Sequence, residues 1–398
     1  MPIFHNRTLR IVMTGGGTGG HAFPLVAVMR ELKREAVMRN INLEITYIGP
    51  KDFTYDYIQQ EGIVTKVVSV GKFRRSLSLS SILNNIVDFF HIIYGLIQAY
   101  FYLFFIMPDV VFSKGSYASL PVVFWSIIFF IPTFTHESDS IPGIFNQVLG
   151  KFCRQVFISF ESSQKYFPKN KTLLVGNPIR QELIVSRNQI TPEDKLQLKQ
   201  ALKLSTKPLL TVIGGSLGSQ HINDIMLDIL PMVIDKLEII HQTGQENYTQ
   251  VVNEADIVFR MIIKSDTYRA YYHPLPFINE KMEVGKISLK DVYALSDLVV
   301  ARAGGGLIFE LSACGVPAIL IPLPWASRDH QRNNAYEYAK SGACIVIEEK
   351  NATPNLLASL ILETITDSHK LAEMSYGALN FAKPQAATQI AQKLLSLT

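Results

Sequence analysis

Apolar residues in this chain gather in short runs that end in glycine or a polar residue, and longer amphipathic stretches follow them. The segment "LRIVMTGGGTGGHAFPLVAVMRELKRE" sets the pattern. It reads as a buried strand, a glycine turn, and a helix whose apolar positions Phe23, Val26 and Ala27 recur at helical spacing before charges take over. "LEITYIG" supplies the next strand and completes a β-α-β unit of the size a parallel sheet needs. "DVVFSKG", "IPTFTHES", "RQVFISF" and "KTLLVGNP" read as further strands. After residue 180 the chain turns polar, as expected of a connection plus a surface helix. The first pattern then returns in "PLLTVIGGSLGSQHINDIMLDIL", and "LEIIHQTG", "DLVVARAGGG" and "PAILIPLP" add strands. Two such starts about 200 residues apart predict an α/β fold of two Rossmann-like domains facing a cleft. The expected domains are 1–182 and 183–398, with the terminal helix packing back on the first. Ligands of such sheets bind beyond the carboxyl ends of the strands.

Residues 89–108 carry no charged side chain, and neither do residues 115–135. Twenty uncharged residues match a membrane span in length. However, His91 and Gln98 interrupt the first stretch and Pro121 and Pro132 bracket the second. The favoured reading is a helix covered by sheet on one face and dipping into lipid on the other.

Composition sharpens this picture. With 48 % hydrophobic and 18 % charged residues, disorder is excluded as the general state and an apolar surface is expected. Residues 1–180 hold 18 basic against 11 acidic side chains, whereas the remainder holds 20 against 23. A basic, apolar first half points to an anionic partner such as a membrane surface, a lipid phosphate or nucleic acid. Cys153, Cys314 and Cys344 lie far apart, which argues against a disulfide frame or a zinc site. The start "HNRTLRIVMTGGG" has too short an apolar run for a secretory core and reads as a strand.

Glycines permit several backbone N–H groups to converge on a diphosphate. Gly16, Gly17, Thr18, Gly19 and Gly20 offer this at the first helix start, and Gly214, Gly215, Ser216 and Gly218 at the second. Glycines also merely tighten such turns. Gly15, Gly17 and Gly20 match a dinucleotide fingerprint, but that reading wants an acid about 20 positions on. Asp52 lies more than 30 residues after Gly20, so the hydride-transfer reading weakens. His21, at the mouth of the loop, suits a general base or a plain helix-terminal hydrogen bond. Glu137 and Asp139 follow another strand as acceptor ligands or loop caps. Glu310, one and a half turns into a helix, suits a ribose or simply the helix dipole. Arg180 suits a phosphate, and the polar run "RDHQRNNA" suits sugar hydroxyls. There is no Walker loop, no HExxH and no metal-spaced cluster.

Taken in order, "GGGTGGHAFP", "GSYASLP", "HESDSIPG", "VGNPIR", "IGGSLGS", "HQTG", "FINEKM", "ARAGGGLIFE", "ACGVPAILIP" and "DHQRNNA" resemble the MurG family, from about residue 10 to 350. The resemblance implies a GT-B fold that moves N-acetylglucosamine from UDP-N-acetylglucosamine to a lipid-linked muramoyl pentapeptide. It implies an N-terminal acceptor domain, a C-terminal donor domain and no metal or cofactor. The setting it implies is the cytoplasmic face of the cell membrane, as a peripheral protein in peptidoglycan synthesis, alongside other cell-wall synthesis proteins and with no nucleic acid. Carried over by position, His21 lies beside the reacting centre. Thr18, Gly19, Gly20, Asp139, Arg180, Ser216, Ile278, Gly305, Gly306, Leu307, Ile308, Phe309, Glu310 and Gln331 meet the donor. Tyr117 and Glu137 lie on the acceptor side, and Lys72, Arg74 and Arg75 at the membrane. The chain departs from the family's usual asparagine at Asp139 and its usual glycines at Ser116, Leu120 and Ser140. At Gly306 and Phe309 the family more often has leucine and serine. Rival readings are a same-fold glycosyltransferase with another acceptor and a nucleotide-sugar binder without catalysis.

Overall fold

The short β-branched runs at the middle of each sheet become parallel strands because both of their faces are covered. In the computed structural model Val110–Ser113 and Leu209–Ile213 are buried at every position. The structure describes residues 8–396 apart from 18, 72–77, 186, 188–189, 216 and 281–286. Thr18, Ser216, Lys72, Arg74 and Arg75 therefore lie outside the described residues. The chain divides into two units, Met1–Arg180 with Lys383–Thr398, and Gln181–Ala382.

The first unit runs β1 (Leu9–Thr14), α1 (Gly19–Met38), β2 (Leu43–Gly49), α2 (Phe53–Gln60), β3 (Val64–Val67), α3 (Leu79–Ile106) and β4 (Val110–Ser113). It continues with α4 (Leu120–Ile128), β5 (Thr133–Glu137), α5 (Ile144–Leu149), β6 (Gln155–Ile158) and β7 (Thr172–Leu174). Its parallel sheet has the order β3-β2-β1-β4-β5-β6-β7. The strand order reverses between β1 and β4, where Thr14 pairs with Ser113, and ligands of open α/β sheets bind beyond such a point.

The second unit runs α6 (Pro192–Ala201), β8 (Leu209–Ile213), α7 (Gln220–Val233), β9 (Glu238–Gln242), α8 (Tyr248–Ile257), α9 (Asp266–Arg269), β10 (Tyr272–Leu275) and α10 (Leu289–Leu295). There follow β11 (Leu298–Ala301), α11 (Gly305–Cys314), β12 (Ala318–Leu320), α12 (His330–Ala339), β13 (Cys344–Val346), α13 (Pro354–Thr366) and α14 (Ser368–Phe381). The sheet order β10-β9-β8-β11-β12-β13 puts the corresponding switch point between β8 and β11. The final helix, α15 (Ala386–Leu395), belongs to the first unit. Ala387, Ile390, Ala391 and Leu394 form a fully buried stripe at helical spacing, in one core with Leu25, Met29 and Leu32 of α1. Thr388 and Gln392 donate to the buried Glu31 (2.8 Å) and Glu35 (3.0 Å) carboxylates, so the two helices also satisfy each other's polar groups.

The uncharged stretch is part of α3, a helix of 28 residues that stops where Met107 takes a positive φ and Pro108 follows. Ala99 and Leu103 pack into a core with Val12, Ile48, Val68, Val111 and Val122. Gly95 permits this approach, since a Cβ there would collide with the Ser69 carbonyl. The polar interruptions tie the helix to the domain: Gln98 accepts from the Ser69 amide (2.8 Å), and His91 Nδ1 lies 3.0 Å from the Ser69 hydroxyl. The other face exposes Phe89, Phe90, Tyr94, Phe101, Phe104 and Phe105, each half or more accessible.

Candidate active site

The functional side chains of the first unit sit beyond β1, β4, β5 and β7. Gly15 and Gly17, at φ +149° and +119°, turn the chain from β1 into α1 in backbone that other residues rarely adopt. Gly19, Gly20 and the half-buried His21 then form the first turn of α1. The Gly17 N–H, one of the amides expected to face a diphosphate, instead donates to Asp52 Oδ2 (2.7 Å). Asp52 stands just beyond β2, where a dinucleotide site keeps its ribose acid, yet its other oxygen caps α2 through Thr54 (2.9 Å) and Tyr55 (3.3 Å). It is a brace for the glycine turn. Beyond β4, Ser116 donates to the Gly16 carbonyl (3.1 Å) and caps the short turn that carries the half-buried Tyr117.

Glu137 ends β5 with 4 % exposure, and its carboxylate is cradled by three donors. These are the Asp139 amide (3.0 Å), the Gly143 amide (3.2 Å) and Asn146 Nδ2 (2.9 Å). Burial, reinforced by the Asp139 charge, nevertheless pushes its pKa up to about 7. Beside it, Lys114 at the end of β4 is 1 % exposed and donates to the Ser138 hydroxyl, which donates to Asn177 (3.1 Å). Burial lowers the Lys114 ammonium to about 8, against the pull of Glu137 and Asp139. His136 lies 2.9 Å from the Gly176 carbonyl, and burial keeps it far below the ordinary histidine range. Arg180 is 3 % exposed, and its guanidinium lies over the Phe23 ring at 4.2 Å. Phe53 and Tyr57 meet Phe23 edge-on and fix that face.

In the second unit, the Gly214–Gly215 turn after β8 is held by Gln242 at the end of β9. Its Nε2 donates to the Gly215 carbonyl (3.0 Å) and its Oε1 accepts from the amide of buried Ile278 (3.0 Å). Arg302, just past β11, donates to Ser219 (2.7 Å) at the start of α7 and to the Ile321 carbonyl (3.1 Å), and it pairs with Glu349. This brace joins three loops at the sheet's carboxyl edge. Helix α11 begins after Gly304 without a side-chain cap, so Gly305, Gly306 and Leu307 present their amides at the positive end of the helix. Glu310 is 9 % exposed and accepts from the Tyr293 hydroxyl (2.7 Å), which aims its carboxylate. Ile308 and Phe309 point into the core, Phe309 against Phe381, and the Ile308 amide is already bonded to the Gly304 carbonyl (3.1 Å). Gln331 accepts from the Leu323 amide (3.0 Å) through Oε1, which turns its amino group away from that contact. Among the described residues no three metal-ligating side chains come together. The three cysteines are free and buried, and burial pushes each thiol up to about 12.

The sequence named the residues at these loops but missed those that hold them: Lys114, Asn146, Gln242, Tyr293 and Arg302. For Arg302 the available signal was an arginine directly after an apolar strand run, since such a side chain is rarely buried without a partner.

This geometry can bind an anion at α11 and present a base and carboxylates beyond β1 and β5. The glycosyltransferase family 28 N-terminal domain matches residues 11–158, and the family's C-terminal domain matches residues 209–390. A UDP-N-acetylglucosamine--N-acetylmuramyl-(pentapeptide) pyrophosphoryl-undecaprenol N-acetylglucosamine transferase of Thermoanaerobacter sp. (strain X514) is 33 % identical over 98 % of this chain and 100 % of its own length. The crystal structure of Acinetobacter baumannii MurG superposes with a TM-score of 0.71 at 22 % identity, over 98 % of this chain and 99 % of that one. A UDP-GlcNAc 2-epimerase from Neisseria meningitidis bound to UDP-GlcNAc reaches 0.64 at 13 % identity, over 98 % and 100 %. At these identities the two structures speak for the two-domain GT-B fold alone, and it is the full-length sequence match that singles out a family. The chain belongs to glycosyltransferase family 28 and, within it, to the MurG family of N-acetylglucosamine transferases.

Proposed function

We propose that the protein transfers N-acetylglucosamine from UDP-N-acetylglucosamine to the 4-hydroxyl of a lipid-diphosphate-linked muramoyl pentapeptide, inverting the anomeric carbon. The observation that carries this reading is the 33 % identity to a curated transferase of that name over essentially the full length of both chains. In this mechanism His21 takes the proton of the attacking hydroxyl, while Glu137 and Tyr117 hold the acceptor. Glu310 accepts from the ribose hydroxyls. Thr18, Gly19, Gly20, Asp139, Ser216, Ile278 and Gln331 complete the donor contacts. The amides at the start of α11 and the Arg180 guanidinium stabilise the departing diphosphate, supplying positive charge where it develops. No cofactor enters this scheme.

The test is a panel of acceptors offered with UDP-N-acetylglucosamine while UDP release is followed. A lipid-diphosphate-linked muramoyl peptide is expected to drive release. Release that is equal with a 4-deoxy acceptor, or absent with every acceptor, overturns the assignment.

The proposed setting is the cytoplasmic membrane surface, with the protein peripheral there among other proteins of cell-wall synthesis. The exposed aromatic face of α3 and the basic excess of the first 180 residues support it. The segment Asn84–Ile106 is long and apolar enough to cross a bilayer. Yet its other face forms part of a core, and its Gln98 and His91 are tied to Ser69, which suits a helix lying in the interface. Vesicles rich in anionic lipid are expected to float the protein at low salt. High salt, or Lys72, Arg74 and Arg75 all changed to serine, should release most of it, each cation contributing roughly 1 kcal/mol. Retention at high salt favours a span, and no binding at all removes both readings.

A further inference from the structure

The run "HQTG" closes β9 with a glutamine that the proposed transfer leaves unused. Gln242 pairs with Ile213 at the end of β8 on one side and with Leu275 at the end of β10 on the other. It stands between the loops that follow those two strands, and it is 4 % exposed. Its Nε2 donates to the Gly215 carbonyl (3.0 Å), while its Oε1 accepts from the Ile278 amide (3.0 Å). Both ends of one side-chain amide are thus spent on main chain, one in each loop.

The two loops are held differently otherwise. Ile278 has its side chain in a core with Leu209, Ile240, Val292 and Leu295. The glycine turn has less to hold it. Gly215 has φ +98°, and a Cβ there would meet nothing within 4 Å, so packing does not fix that side of the turn. Two hydrogen bonds to its carbonyl do so, from Gln242 and from the Gly218 amide (3.1 Å). Gly218 also lies flat against the end of β9, where a Cβ would collide with the Thr243 carbonyl. Gln242 is the side chain through which the packed loop steadies the open one.

We propose that Gln242 is a positioning residue for the donor site: its amide fixes the spacing of the Gly215 turn and the Ile278 segment, so that a nucleotide bound at one orders the other. The inference rests on the donor contacts proposed above at Ser216 and Ile278. Only glutamine has the length together with one donor and one acceptor for these two main-chain groups. Coupling of this kind is reciprocal between the two segments.

The test combines UDP calorimetry with amide exchange of the segments 214–218 and 275–279. In the wild type, uridine alone and inorganic diphosphate alone are each expected to slow exchange in both segments, whichever half of the site each fills. Gln242→Met, close in shape but without the amide, should weaken UDP binding roughly tenfold. In it each probe should protect one segment only. KM for UDP-N-acetylglucosamine should rise by a similar factor, and KM for the acceptor should stay where it is. Gln242→Glu keeps an acceptor for Ile278 but sets a carboxylate against the Gly215 carbonyl, so faster exchange is expected at 214–218 and not at 275–279. A purely structural glutamine would lower the melting temperature and leave the UDP dissociation constant and the shared protection intact, which overturns the proposal. Should neither variant fold, the wild type decides: probes that each protect a single segment show that nothing couples the two. UDP that protects neither segment is a different failure, of the donor contacts themselves.

Discussion

Replacing His21 with alanine is expected to lower kcat by about 10²- to 10⁴-fold while the KM of each substrate moves only a few-fold. The expectation follows from position. His21 lies in the first turn of α1, directly behind the glycine turn, and it is half-buried. A group that takes a proton only as the new bond forms contributes to the transition state and little to ground-state binding. Single-turnover kinetics with a saturating acceptor separate this from slow product release. Near-normal turnover would move the base to one of the carboxylates beyond β5. The acid limb of the pH profile in Glu137→Gln and Asp139→Asn would then identify which.

The second large effect is expected at Glu310. Its carboxylate accepts from Tyr293 at 2.7 Å and has 9 % exposure, so it is already desolvated and oriented. A hydrogen bond from a hydroxyl to such a charged acceptor contributes about 1.5–3 kcal/mol, which is roughly 10- to 150-fold in affinity. Glu310→Ala should weaken UDP binding by that factor in calorimetry. It also leaves the Tyr293 hydroxyl without this acceptor, which adds about 1–3 kcal/mol of instability to check by thermal melting. Tyr293→Phe keeps the carboxylate but removes its guide, and a smaller, few-fold loss is expected. An unchanged UDP dissociation constant in Glu310→Ala would leave the glutamate with the helix dipole and nothing more.

How much of this could be read from the chain depended on burial on both sides. The inner strands announce themselves as apolar runs, which is why β1, β2, β4 to β6, β8, β9, β11 and β12 are legible, and the edge strand β7 is read from its short run "TLL" before a glycine turn. The three strands that were not foreseen, β3, β10 and β13, are all edge strands. Their sequences, "VTKV", "YHPL" and "CIV", are short, and two of them carry a lysine or a proline that an unpaired edge tolerates. Asp52 illustrates a different limit. Spacing weakened its reading as a dinucleotide ligand, but only the structure shows that it caps α2 and holds Gly17. Lys114 is the plainest case. In sequence it looks like any lysine before a glycine, and nothing local says that the loop beyond β5 closes over it. The uncharged stretch marked a helix but not its extent, because α3 begins ten residues before the stretch, in polar sequence at Leu79.

The most direct test is the structure of the product. Purified protein is supplied with UDP-N-acetylglucosamine and a water-soluble analogue of the lipid-diphosphate-linked muramoyl pentapeptide, and the disaccharide formed is analysed by NMR. The expected product is a single species in which N-acetylglucosamine is joined through a β-linkage to the 4-oxygen of the muramoyl sugar, with one UDP released per disaccharide. An α-linkage, a link to another hydroxyl, or UDP released by hydrolysis with no disaccharide would contradict it.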